Sequence, residues 1–193
     1  MGRLIIVIII AIITGLYVQC AAPAQLNGFV HKGSVDLAIK QLNTEKKLGK
    51  KRVLYISSGG GEVGAGLELY AYILDPKNRD ITCVAIEAQS MAFFILQACT
   101  VRLATPNAVL MTHNIRANFE GAQLKDLKQL VKEIDEIEAI IYPFIAKRMG
   151  LKTREDLEGL HRLAKGNYVI DPFNAKNLGI IDGVVELDFK PVQ

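Results

Sequence analysis

KRVLYISSGGGEVGAGLELYAYIL, Lys51 to Leu74, passes from a short apolar run through three consecutive glycines into a second apolar run. The first run reads as a buried strand. The second, after the glycines, reads as a helix. Glycines at such a junction reach backbone angles closed to other residues and let another backbone come close. Their amides, next to a helix N-terminus, favour negative charge. A phosphate loop is not indicated, because no Gly-Lys-Ser/Thr follows, and the glycine spacing does not match a dinucleotide fingerprint. The same pattern follows at once in DITCVAIEA (Asp80–Ala88), a buried strand, and MAFFILQAC (Met91–Cys99), a helix. Strands alternating with helices imply an α/β fold with mainly parallel pairing.

Working outward, Ser34 is placed to cap an amphipathic helix through VDLAIKQLNTEKKLG. The lysine cluster KKLGKKR, Lys46–Arg52, reads as a solvated helix end and loop. VRLATPNAVLMTH reads as two short strands about a turn at Pro106-Asn107. A long segment from Glu120 to Met149 carries Leu124, Leu127, Val131, Ile134, Ile141 and Ile145 at helical spacing. Thr153–Arg162 reads as a shorter helix, with Thr153 and Asp156 in a capping relation. NYVI is a strand, Asp171-Pro172 opens a helix as cap and first helical residue, and GIIDGVVEL closes as a strand.

The chain has 193 residues, half of them hydrophobic and 22% charged, with a net charge of +3. That fits one folded domain, and the lack of a basic block interleaved with aromatics excludes nucleic acid as an expected partner. The first residues differ in kind: Arg3, an apolar run from Leu4, then small residues with Ala22-Pro23-Ala24 as an Ala-x-Ala exit. This is the layout of a secretory signal. Residues 1–24 are expected to be a signal peptide or N-terminal membrane anchor and residues 25–193 the domain. An exported, periplasmic or otherwise extracytoplasmic location follows, with membrane attachment open. Cys20 belongs to the leader. Cys83 and Cys99 are expected as buried, inert thiols; a disulfide between them is open to an exported protein, but no spacing argues for it. Histidines and cysteines lack metal-ligand spacing, so no metal or cofactor is expected.

Ser90 separates two apolar runs at a strand-to-helix junction. It reads as a helix N-cap, as a small residue in a tight corner, or as a nucleophile. Three features in chain order favour the last: a glycine loop after one strand, a serine after the next, and His113 just past the apolar AVLMTHN. Serine at such a turn can present its oxygen into a cleft, histidine beyond a strand end can act as general base, and two amides can hold an oxyanion.

At these residues the sequence resembles the proteolytic subunit of Clp protease and its relatives in the ClpP/crotonase superfamily. LYISSGGGEVGAGLELYAYI is similar to the family's strand, glycine oxyanion loop and helix. AIEAQSMAFFILQACTVRLATPNAVLMTH resembles its nucleophile segment and histidine strand, and GNYVIDPFNAKNLGIIDGVVE its C-terminal strand and helix. The resemblance spans roughly Arg52–Glu186 and implies a ClpP/crotonase-like α/β fold of repeated strand-strand-helix units with a protruding long helix. It implies Ser90 as nucleophile, His113 as base, the amides of Gly61 and Met91 as oxyanion hole, and Gly60, Glu62 and Val63 as a strand-like edge for a peptide substrate. Glycine two residues past the nucleophile is absent, bulkier Ala92 and Phe93 standing there. The family's triad aspartate falls on Asn167, which can orient an imidazole but adds no charge; Asp171 reads as a helix cap. The long helix implies a homo-oligomer.

The expected activity is that of an exported serine endopeptidase acting on peptides or flexible protein segments, without an ATP-driven partner because ATP is not expected outside the cytoplasm. A catalytically weak or inactive peptide-binding relative is the first alternative, supported by Asn167. A membrane-attached Ser–Lys peptidase with Lys128 or Lys132 as base is the second. An acyl-CoA enzyme on the related fold is disfavoured, since the Ser/His pair has no role there.

Overall fold

The computed structural model describes residues 22–115, 124–151, 153, 158–159 and 165–187. The expected leader as far as residue 21, and most of the helix expected over Thr153–Arg162, lie outside these. The elements run β1 (Ala24–Val30), α1 (Lys32–Lys47), β2 (Val53–Gly61), α2 (Val63–Leu74), a short 3₁₀ turn (Pro76–Asn78), β3 (Thr82–Gln89), α3 (Met91–Ala98), β4 (Val101–Thr112), α4 (Leu124–Arg148), β5 (Tyr168–Ile170), α5 (Pro172–Asn177) and β6 (Gly183–Val184). They form a six-stranded α/β sheet in the order β1-β2-β3-β4-β5. Strands β1 to β4 pair in parallel. β5 runs antiparallel along Leu110–Thr112, and β6 parallel along Leu103–Ala104.

Of the strands expected to be wholly buried, β3 is buried through Cys83, Val84 and Ala85, whereas β2 alternates. In β2, Leu54, Ile56, Ser58 and Gly60 are buried and their neighbours are not. One face therefore packs against the helices. α3 lies there, and its sequence MAFFILQA leaves it no polar face: every residue is buried. Fully burying Ile95, Leu96 or Leu110 contributes about 1.5–3 kcal/mol each. Along α4 the buried side chains Ile141, Tyr142, Ile145 and Ala146 gather at the C-terminal end, while Lys125, Asp126, Lys128, Gln129 and Val131 are exposed.

Four local readings change. β1 begins at Ala24, which is fully buried and donates its N–H to Glu45 Oε1 at 3.3 Å. The expected leader boundary therefore cuts into the first strand. The cap of α1 is His31, not Ser34. His31 Nδ1 accepts the Gly33 N–H, and Ser34 Oγ accepts the His31 N–H from inside the first turn. The expected turn at Pro106-Asn107 is a bulge within one strand: pairing to β3 jumps from Ala85↔Ala104 to Glu87↔Val109, which removes a proline that cannot donate from the ladder. Arg52, expected in a solvated loop, is 1% exposed, and bonds Asn78 Oδ1 at 2.8 Å and Asp80 Oδ2 at 2.9 Å.

Cys83 and Cys99 form a disulfide, with Cα atoms 5.9 Å apart, in place of the expected thiols. α3 folds back over the strand that precedes it, so the helix end meets the strand start.

Candidate active site

Ser90 by itself makes the turn between β3 and α3. Its backbone lies at φ 52° and ψ −123°, and it is the one non-glycine with positive φ among the described residues. An L-residue held in such a region costs about 1–3 kcal/mol and persists only where its surroundings impose it. They do so here. The Ser90 amide donates to the Met111 carbonyl on β4 at 2.9 Å, and the Ser90 carbonyl accepts the Phe93 N–H at 3.0 Å. Although Ser90 stands at the N-cap position of α3, its side chain makes no capping hydrogen bond. The capping explanation for this serine therefore fails.

The glycines of β2 explain how the turn is packed. A Cβ on Gly60, whose φ is +98°, would lie 2.6 Å from Ser90 Cβ, 2.8 Å from the Gln89 carbonyl oxygen and 3.1 Å from the Met91 nitrogen. One on Gly61 would lie 2.3 Å from the Val30 carbonyl oxygen. Both glycines sit within β2, paired with Phe29 and Val30 of β1, not in a free loop. On α2, a Cβ at Gly66 would fall 2.2 Å from Met91 Cγ, so the methionine after the serine packs onto a bare helix surface.

Ser90 and His113 line one small cleft of about 50 Å³ with the backbone of Gly61. Its remaining walls are apolar: Val63, Met91, Phe94, Ile115 and Ile141. His113 follows the last residue of β4. Its Nδ1 is 2.6 Å from the carbonyl oxygen of Asn114. A carbonyl only accepts, so Nδ1 carries the proton in this contact, and in the neutral imidazole the lone pair is then on Nε2.

The family model for Clp protease matches residues 23–188. The chain belongs to the Clp protease family. That match covers every element from β1 to β6 and both residues of the cleft pair, and it makes peptide hydrolysis the chemistry for which the cleft must account.

In this member of the Clp protease family, the other expected site residues fall as follows. Met91 and Gly61 line the cleft beside Ser90. Val63 does too, but the Glu62 amide is already bonded to the Val30 carbonyl at 2.8 Å. Asn167 is exposed and precedes β5, where Thr112 pairs with Tyr168. The ladder ends at Thr112↔Tyr168, one residue before His113 and one residue after Asn167. Asp171 is the cap of α5: its carboxylate accepts the Phe173 and Asn174 amides, both at 3.0 Å. Those hydrogen bonds, with the Asn174 side chain, hold its pKa below the ordinary carboxylate value. Lys128 and Lys132 lie exposed on α4, and Lys132 is 3.7 Å from Glu136, so neither is in the cleft.

Three residues at the site carry no signal in the sequence. Tyr142 Oη donates to Asn114 Oδ1 at 3.0 Å, and the Ile115 amide donates to Glu138 Oε1 at 2.9 Å. Asn114 stands between them and the imidazole. Tyr142 is 1% exposed and meets Phe94 of α3 edge-on, ring centroids 6.2 Å apart. Burial, with the Glu138 charge nearby, pushes its pKa up, so it stays a donor. Among the described residues, no helix is long and apolar enough to cross a membrane.

Proposed function

We propose that the chain is an exported serine peptidase in which Ser90 is the nucleophile and His113 the general base. The observation that carries this reading is the Ser90 backbone: a serine at positive φ, with no capping bond, facing the cleft that contains His113. Strained strand-to-helix turns of this kind expose a nucleophilic oxygen in hydrolases of another fold.

In the proposed reaction, Ser90 Oγ attacks the scissile carbonyl and His113 Nε2 takes its proton. The tetrahedral oxyanion is held by the N–H groups of Met91 and Gly61. The Met91 amide is the first of α3, where helix amides lack internal partners. The Gly61 amide is assigned by alternation: Glu62 donates to β1, and successive amides of an extended strand point to opposite edges. His113 then protonates the leaving amine, and water hydrolyses the acyl-enzyme. The Ser90–His113 contact has to tighten when substrate binds, as such hydrogen bonds often do. Asn167, which the family pattern implies as the third residue, precedes β5; to orient the ring it would have to displace the Asn114 carbonyl from Nδ1. The apolar walls suit an apolar side chain at the residue whose carbonyl is attacked. A peptide strand would pair through Gly61 and Val63, because the Glu62 amide is engaged.

The disulfide, with the leader pattern, supports an oxidising location outside the cytoplasm, and with it activity independent of an ATP-driven unfoldase. Val131 and Ile140 of α4, 58% and 69% exposed, support a homo-oligomer built through that helix. The neutral Asn167 favours a second reading, a weakly catalytic peptide binder.

Labelling with a fluorophosphonate, mapped by mass spectrometry, tests the assignment. Ser90 should be labelled in the parent and silent in Ser90→Ala and His113→Ala. Unchanged labelling of His113→Ala would remove His113 from the mechanism, and a parent that fails to label but binds peptide would favour the second reading.

A further inference from the structure

The loop that carries the proposed base is held from one side by a single helix face. Glu138 and Tyr142, four residues apart on α4, reach the Ile115 amide and the Asn114 side chain. Residues at that spacing lie one above the other on a helix. Between those two anchors, the Asn114 carbonyl accepts the Nδ1 proton of His113 at 2.6 Å. A backbone carbonyl thus occupies the place in which serine peptidases of other folds put a carboxylate. It can hold the tautomer only if its own peptide plane is fixed. A neutral imidazole whose Nδ1 loses that partner redistributes to the other tautomer, which has no lone pair at Nε2.

We propose that Tyr142 is a positioning residue for the base: its hydroxyl fixes Asn114, and the Asn114 carbonyl in turn keeps the His113 proton on Nδ1. The same ring packs on Phe94 of α3, four residues past Ser90. Tyr142 thereby ties the nucleophile's helix to the histidine's loop, which makes register between the two reacting side chains a property of α4. The proposal rests on the assignment of His113 as base.

The test uses the full chain with Tyr142→Phe, Asn114→Ala and the double variant. The first readout is the ¹⁵N spectrum of His113, which reports the tautomer directly and does not require activity. The parent should be the Nδ1–H form, and Tyr142→Phe a mixture. The second is the fluorophosphonate labelling rate of Ser90, expected to fall about tenfold in Tyr142→Phe, the scale of one lost hydrogen bond. The double variant should label no more slowly than Asn114→Ala, because the hydroxyl acts through that side chain. Parent-like spectra in folded Tyr142→Phe would overturn the proposal, as would additive losses in the double variant. If the parent does not label, the assignment of Ser90 and His113 fails, and the tautomer spectra alone decide whether Tyr142 holds the loop.

Discussion

Gly60 and Ser90 are in backbone-to-side-chain contact: a Cβ on the glycine would sit 2.6 Å from that of the serine. The end of β2 is therefore pressed onto the strained turn. The glycine keeps the Ser90 backbone where it is, and the contact leaves no room for any side chain.

Gly60→Ala should thus be destabilising by about 1–3 kcal/mol, from the clash and the +98° φ together. It should also lower Ser90 labelling, because the turn has to move. Gly64, in the first turn of α2, gives the contrast: a Cβ there would meet nothing within 4 Å. Gly64→Ala should be neutral or stabilising by up to about 1 kcal/mol, since alanine is the better helix former. Urea unfolding of the two variants checks both signs, and equal stability would show that the close approach at Gly60 is relieved by a small shift.

The disulfide closes a loop between residues 16 apart that contains Ser90. Loop closure of that length corresponds to about 3 kcal/mol. Cys83→Ala/Cys99→Ala should unfold at lower urea by roughly that amount, and reductant should affect the parent but not the double variant. Thiol titration of the unfolded parent without reductant, mapped by residue, should find neither Cys83 nor Cys99. A parent indifferent to reductant would mean that the bond is absent in solution.

Much of this arrangement was legible in the sequence, and the exceptions have physical causes. β2, α2, β3 and α3 follow from alternating apolar runs, and Ser90 and His113 from their positions at element ends. β1 was hidden because AQLNGFV follows closely on the apolar N-terminal stretch and has little alternation. Its presence is what draws Gly60 and Gly61 into β2: with Phe29 and Val30 alongside, the glycines extend a strand instead of turning. Pro106 looked like a turn because only the bulge against β3 tolerates it. Arg52 looked solvated because its partners, Asn78 and Asp80, lie one element away. The Tyr142–Asn114 bond was beyond reach, since it joins residues 28 apart with no motif around either.

Variants at Asn167 and Asp171 test which of the two serves the imidazole; Asp171 caps α5. If Asn167 is the third residue, Asn167→Asp should displace the Asn114 carbonyl from Nδ1 and raise turnover by about tenfold, equivalent to ~1.4 kcal/mol of transition-state stabilisation. Asp171→Ala should leave labelling intact and lower stability, because it removes the α5 cap. Its carboxylate pKa is depressed in the folded state, so the stabilisation is present above the ordinary carboxylate pKa and is lost as pH falls through the folded value. The parent should therefore lose its advantage over Asp171→Ala in acid. Loss of labelling in Asp171→Ala, with Asn167→Asp unchanged, would exchange the two roles.

The strain at Ser90 gives a prediction that separates a nucleophile's turn from an ordinary corner. At φ 52° and ψ −123° a side chain is disfavoured and glycine is not. Ser90→Gly should therefore fold more stably than Ser90→Ala, by about 1–2 kcal/mol, while both fail to label. The alanine variant keeps the strained Cβ, and the glycine variant removes both the strain and the contact with Gly60. Serine is retained at a position where glycine would be more stable, which is the stability–function trade-off expected of an active-site residue. Chemical unfolding of the parent, Ser90→Ala and Ser90→Gly under identical conditions decides the matter. If glycine is no more stable than alanine, the turn stores no strain at Ser90, and its backbone ceases to be an argument for its role.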